Sequence, residues 1–414
     1  MPSKELLVQR MSVLGKVGLA LLLAYAILKG FKGGNDINVF LHAGSQFLNG
    51  EDLYISNPFN RYLYSPLFAA LMAPLSMLPW ELSRIIWALL NIALSYRCYR
   101  ILREMIPANI WNSRASWIWK TGIIFLSFNA FNHNLVLGQM TVIILWMTME
   151  GLYQIFFGKE WKGAGLLALG MNIKIIPIIA ISYVFFKGKI RASFITGVFL
   201  IASLILPALF VGFQDNISLH EKWLNEINPS GSRYAWEENT GCVSLNCILP
   251  TFFLPATEDS NRHLELDTLL FAVEGSTLVL MIQGTRMLIF FGLLFLIFKQ
   301  WNKREEKLSL WREWSLLLIA SLLILPHQMK YSMLYAIPAI MLLWFSLSSG
   351  ISKGIQKWLI ITALLGAIVI ALMGRDVIGS VTVNFLDHFR YMGLTLLVIY
   401  FALLFTWKIN LEDS

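Results

Sequence analysis

Long apolar runs alternate with short polar or basic loops along the whole chain. Runs at about 14–31, 80–101, 115–128, 140–157, 192–212, 268–298, 314–326, 331–348, 356–373 and 390–407 each predict a membrane-crossing helix, since an apolar helix is what satisfies its own backbone in lipid. The stretch DINVFLHAGSQFLNGEDLY, 36–54, reads differently. On a helical wheel Asn38, His42, Ser45 and Asn49 share one stripe, and Ile37, Leu41, Gly44 and Leu48 share the other. That pattern predicts a helix lying in the membrane–water interface with its apolar side toward lipid. At its head stands a carboxylate, Asp36. Pro66, Pro74 and Pro79 predict that 61–79 is broken into short helical pieces, because proline removes a donor and clashes with the preceding turn.

Basic residues orient these runs. Lys4, Arg10 and Lys16 precede the first, and Arg97, Arg100, Arg103, Arg114 and Lys120 follow the second. Lysine and arginine collect on the cytoplasmic side. Both termini are therefore expected inside, with 32–79 a first outer loop and 213–267 a long outer loop. The first span has no small-residue cleavage site after it and reads as a retained anchor. NAFNHNLVLGQ at 129–139 and PHQMKY at 326–331 are expected outer turns, as is a turn holding Arg375, Asp376, Asp387, His388 and Arg390.

Residues 163–186 are basic at both ends, with Lys159 and Lys162 before and Lys187, Lys189 and Arg191 after. One crossing leaves one end on the wrong side. Two short crossings meeting near Asn172, Lys174 and Pro177 satisfy both ends and put Lys174 at the tip. The alternative is a single span that violates the charge rule. With the hairpin the count is about twelve crossings in one integral membrane domain, 1–414.

Composition narrows the class. Hydrophobic residues make up 57% of the 414 and charged residues 14%, which excludes an ordinary soluble globular protein. The net charge of +8 is spread over separate loops. It reads as topology charge and attraction to anionic lipid, with no nucleic-acid partner. No internal repeat is visible, so the inverted-repeat signature of transporters is missing. Cys98 falls in a basic, cytoplasmic loop. Cys242 and Cys247 share an outer loop where a disulfide is allowed; C-x4-C without histidines is a poor zinc signal.

Under this topology the unusual polar residues gather on the outer face: Asp36, His42, Tyr64, His133, Gln139, Lys174, His327, Lys330 and Tyr331. Ionisable groups at membrane depth are functional candidates. A sugar on a polyprenyl phosphate leaves as a stable anion and needs no general acid, unlike the alcohol leaving group of a glycosidase. It needs one base for the acceptor hydroxyl and cations for the phosphate. Asp36 fits the base. Lys174, His327 and Lys330 fit the donor phosphate. His42, Tyr64, His133, Gln139 and Tyr331 fit contacts to the rest of the substrate. Each has a plainer reading: Asp36 as a helix N-cap, Lys174 as a snorkelling side chain, the tyrosines as an aromatic belt. Asp52, in GED, reads as a turn residue. A multi-pass transporter or flippase of a lipid-linked or anionic substrate is the rival class, although it does not explain polar groups on one face. A membrane transferase using another carrier-linked sugar, such as arabinose or glucose, is a second alternative, and a ligase of preassembled glycans is a third.

DINVFLHAG with GEDLY, YLYSPLFAALMAPLSMLP, LGQMTVIIL, GAGLLALGMNIKIIPIIAI and HQMKYSMLYAIPAI occur in an order that resembles glycosyltransferase family 87. These are polyprenol-phosphate-mannose-dependent mannosyltransferase-like membrane proteins of the GT-C fold. Ser65 stands where the family's Y-P-P-L stretch has its first proline, and ENTGCVSLNC replaces its asparagine–glutamine–serine stretch. The resemblance implies an all-α polytopic membrane enzyme. It implies inverting transfer of a hexose, typically mannose, from a polyprenyl-phosphate-linked donor to a lipid or glycan acceptor at the outer leaflet of the plasma membrane. It implies Asp36 as the base, His327 near the donor phosphate, and no metal or other cofactor.

Overall fold

The structure, a computed structural model, describes residues 20–21, 23–25, 27–28, 31–32, 34–55, 59–106, 116–227, 236–237, 239, 241–255, 264, 266–299, 306–348 and 354–405. Most of the expected first span lies outside the described residues. So do Lys4, Arg10, Lys16 and Arg114.

The architecture is all-helical. In chain order the helices are α1 (Asn35–Asn49), α2 (Pro66–Ser76), α3 (Trp80–Met105), α4 (Ser116–Leu137), α5 (Thr141–Phe157), α6 (Glu160–Ile173), α7 (Ile178–Phe186), α8 (Ile190–Ile205), α9 (Ala208–Val211) and α10 (Phe213–Glu226). They continue as α11 (Leu245–Phe253), α12 (Gly275–Lys299), α13 (Lys307–Ile324), a 3-10 helix (Lys330–Ala336), α14 (Ile337–Ser348), α15 (Gly354–Leu372), α16 (Arg375–Ile378), α17 (Ser380–His388) and α18 (Tyr391–Phe405). Among the described residues five helical segments are long and apolar enough to cross a membrane: Trp80–Met105, Ile190–Val211, Gly275–Phe298, Lys330–Ser348 and Gly354–Leu372. Two bent pairs bring the number to seven. These are Gly122–Leu137 with Thr141–Phe157, bent by 119°, and Ser380–His388 with Tyr391–Phe405, bent by 58°. The remaining expected crossings fall on helices that are short or charged. α6 and α7 have 14 and 9 residues, and α13 carries Lys307, Arg312 and Glu313.

α13 is the axis of the bundle. Leu308 through Leu323 are all buried, and α12, α14, α18 and the 3-10 helix pack round it. A helix apolar on every side belongs in such a position. Arg312 and Glu313 are covered by protein, and Lys187 at the end of α7 pairs with Glu313 at 3.0 Å with neither side chain exposed.

Several expectations change. α1 forms as predicted, but its apolar side meets α2 rather than lipid. Ile37, Phe40, Leu41, Ala43 and Phe47 are buried, while Leu48 is exposed. The close approach explains Gly44, where an added Cβ would lie 2.8 Å from the backbone of Met72. The phenyl ring of Phe40 sits 5.0 Å from Tyr64, 5.1 Å from Phe68 and 5.9 Å from Trp87, so aromatic packing substitutes for the lipid contact. The proline-rich stretch is one helix, not pieces. Pro66 opens α2 at its first turn, Pro79 precedes α3, and Pro74 stays inside α2, the first two being positions that need no intrahelical N–H. NAFNHNLVL is helical to Leu137, and only Gly138–Met140 turn. Glu274 precedes α12 instead of lying within it.

Candidate active site

Asp36 lies in the first turn of α1, two residues past the cap position, which is Gly34. The turn between α4 and α5 delivers Gln139 to it, and the Gln139 Nε2 donates to Asp36 Oδ2. Gly138 makes this possible. Its φ is 69°, and a Cβ there would meet Ile37 Cγ2 at 2.6 Å. The positive φ and the lack of room both demand glycine. Burial pushes the Asp36 carboxyl above its ordinary pKa, while the Gln139 hydrogen bond and the charges of Lys174 and His327 oppose the rise. A carboxylate desolvated in this way is a stronger base than one in water.

Lys174 sits where α6 ends and before Pro177 opens α7. The break that the flanking charges demanded is therefore present, at the expected residues. Its position is fixed from below. Ser65 caps α2 through its Oγ, which accepts from Phe68 N and donates to Asn172 Oδ1 at 2.7 Å. Asn172 Nδ2 in turn donates to Ser203 Oγ at 3.0 Å. Ser65 thus ties α2, α6 and α8 together next to the site. The Lys174 ammonium lies 5.8 Å from the ring centroid of Tyr331. Tyr331 stacks on His133, centroids 6.3 Å apart and planes 21° apart. Tyr64 joins the same cluster through its rings with Phe40 and Tyr62 and lies within electrostatic reach of Asp36 and Tyr331. Asp36, Tyr64, His133, Gln139, Lys174, His327 and Tyr331 are therefore brought to one place from five separate segments.

Three expectations need correction. His42 is not part of this group among the described contacts; it points its ring at Phe59, 6.2 Å away, because it lies nearly two turns along α1 from Asp36. Lys330 is not a free cation but pairs with the buried Asp387. His327 is engaged by Glu237, whose Oε1 accepts its backbone N–H at 2.7 Å and whose Oε2 pairs with Nδ1 at 3.2 Å. The site thus holds more than one carboxylate, and two of its three expected cations are already matched. Glu237 and Asp387 were not among the expected site residues. Each pairs across tens of residues of chain, which no periodicity reveals; the one signal was that each lies in a charge-rich stretch expected to face outward.

Asp52 behaves as the turn residue it was expected to be. Its Oδ1 accepts the backbone N–H of Tyr54 at 2.9 Å, and Oδ2 pairs with Lys222. Partial burial pushes its pKa up, but these partners outweigh burial and hold it below the ordinary carboxylate value. Cys242 and Cys247 form a disulfide with Cα atoms 6.0 Å apart. Glu237 lies against it, and ligand atoms of the three residues fall within 4.8 Å of one another. Both sulfurs are consumed by the bridge, so this trio does not fit a metal as it stands.

Residues 62–326 match glycosyltransferase family 87. A 160-residue stretch is 21% identical to the polyprenol-phosphate-mannose-dependent alpha-(1-2)-phosphatidylinositol pentamannoside mannosyltransferase of Mycobacterium tuberculosis (strain CDC 1551 / Oshkosh), covering 36% of this chain and 34% of that protein. The chain thus aligns with about a third of that relative's length. No solved structure matches it. Asp36, His327, Lys330 and Tyr331 lie outside the residues matched to the family.

Proposed function

The chain belongs to glycosyltransferase family 87, and on that premise we propose that it transfers a hexose, mannose in the first instance, from a polyprenyl-phosphate-linked donor to a lipid or glycan acceptor. The reading includes the GT-C arrangement, about twelve crossings, and a site at the outer face of the plasma membrane. The observation that carries it is the juxtaposition of one desolvated carboxylate, Asp36, with Lys174 and His327.

Asp36 takes the proton of the acceptor hydroxyl. The oxygen attacks the anomeric carbon from the face opposite the phosphate, so configuration inverts. The bond from that carbon to the phosphate oxygen breaks, and both electrons leave with polyprenyl phosphate. Lys174 stabilises the added negative charge, with His327 beside it, in a place where water screens little. The proton ends on Asp36. Gln139 orients the base, and Tyr331, flanked by Lys174 and His133, offers an aromatic face for the sugar. Lys330, neutralised by Asp387, contributes its packing more than its charge.

The test is transfer of radiolabelled mannose from polyprenyl-phosphate-mannose into lipid or glycan by membranes carrying wild type or Asp36→Asn. Transfer by wild type and its loss in the variant at equal expression is the expected result. Transfer that survives Asp36→Asn removes Asp36 as base. No transfer by wild type with mannose, glucose or arabinose donors overturns the enzyme reading.

A further inference from the structure

We propose that Glu237 is a positioning residue that acts through His327, and that the Cys242–Cys247 crosslink keeps it in place. This rests on the reading of His327 as a contact to the donor phosphate.

His327 has φ 56° and is one of two non-glycine residues with positive φ among those described. A side chain rarely adopts that conformation unless its surroundings impose it. Glu237 supplies the constraint. One carboxylate oxygen accepts the His327 backbone N–H and the other pairs with the ring at Nδ1. Peptide and imidazole are held by the same group, so the ring cannot turn without losing a charge-assisted bond. With Nδ1 engaged, Nε2 is the nitrogen left for a ligand, on a side chain that remains 45% exposed.

Glu237 is itself held. Its backbone N–H donates to Asn246 O at 2.9 Å, and Arg286 donates to the Asn246 side chain. Arg390 anchors the same loop through Thr251 Oγ1, at 2.8 Å, and Asn239 O. The disulfide closes the short ring from Cys242 to Cys247, which contains Asn246, the residue that accepts the Glu237 N–H. At the start of that ring the loop is registered on the residues that follow His327: Val243 N donates to Gln328 O at 2.7 Å, and Cys242 pairs with Met329 in the one isolated β-bridge described. The crosslinked ring and the histidine turn are therefore joined by backbone hydrogen bonds into one unit. Opening the crosslink frees the loop that carries the Glu237 carboxylate and loosens the register beside His327 at once.

The experiment uses full-length protein in membranes and compares Glu237→Gln, His327→Ala, the double variant, and Cys242→Ser with Cys247→Ser. The readout is the donor-concentration dependence of mannose transfer from polyprenyl-phosphate-mannose to endogenous acceptors. Glu237→Gln is close to isosteric, and the expected result is an apparent donor KM raised about tenfold, the scale of one charge-assisted hydrogen bond. His327→Ala raises it at least as much, and the double variant equals His327→Ala alone, since a residue that acts through another has nothing left to lose. The cysteine variant reproduces Glu237→Gln; if it does not survive extraction, dithiothreitol treatment of folded wild type gives the same comparison. Effects that multiply in the double variant, or a Glu237→Gln donor KM equal to wild type, overturn the proposal while the donor-site reading stands. A His327→Ala donor KM equal to wild type overturns both. Wild-type behaviour of the cysteine variant or of the reduced protein overturns the role of the crosslink.

Discussion

The side-chain amide of Gln139 donates to the carboxylate of Asp36 across 103 residues of chain. The start of α1 and the turn before α5 converge on a single hydrogen bond, and the glycine beside Gln139 decides whether they can. Gly138→Ala places a Cβ within the space of Ile37 and strains a positive φ. Expected is a loss of about 1–3 kcal/mol in stability with a larger proportional fall in transfer. Thermal unfolding in detergent, read beside the transfer assay, checks it; wild-type activity in this variant removes the turn from the site.

In the proposed role as base Asp36 works ionised, and its carboxyl sits above the ordinary pKa because of burial. The acid limb of the pH–rate profile is therefore expected above the ordinary carboxylate value of about 3.9. Gln139→Leu removes the largest influence opposing burial, so the limb moves further up. The sign for stability is opposite to that of a salt-bridged carboxylate. A folded-state pKa above the unfolded one makes Asp36 favourable at low pH, and that contribution is lost as pH rises through the folded value. Asp36→Asn is thus expected to lower transfer by at least about a hundredfold without lowering the melting temperature at neutral pH. A falling melting temperature contradicts the desolvation account.

Lys330 and Asp387 are a matched pair with the carboxylate buried. Lys330→Met leaves that carboxylate alone and is expected to cost about 1–3 kcal/mol, the lysine being partly exposed. Adding Asp387→Asn restores much of the loss. If Lys330 instead held the donor phosphate by its charge, the double variant would regain stability but not donor affinity, and the donor KM separates the two outcomes.

The proposed outward placement of the site has a direct measurement. Cys98 is buried and the other two cysteines are bridged, so wild type gives a low background with thiol reagents. A cysteine introduced beside His133 or His327 is expected to react with an impermeant reagent applied from outside. Labelling only after permeabilisation would invert the topology.

How much of this was legible follows from what each element depends on. The apolar runs that became α3, α8, α12, α14 and α15, and the break at Lys174–Pro177, depend on local composition and flanking charge, and they were readable. Asp36, Gln139 and Tyr331 carried motifs and were readable as a group. The burial of α1 against α2 was not, because a helix stripe that faces lipid and one that faces a neighbour carry the same residues. Pro74 was misread for a related reason: α2 keeps its course through the proline because its opposite face is packed. Glu237 and Asp387 were invisible as partners. Their pairings span 90 and 57 residues, and charge balance in a folded site is a property of three-dimensional neighbours.

The pair Lys187–Glu313, with Tyr183 also donating to Glu313, bears on the order in which the molecule is built. Lys187 is synthesised 126 residues before the carboxylate that neutralises it. Until α13 emerges, α7 has a cation at its end and nothing to match it, and an unmatched buried charge is costly enough to keep a segment from settling. Docking of α13 against α7 is therefore the step that buries Lys187 with its charge matched, and a chain interrupted before Glu313 lacks that partner.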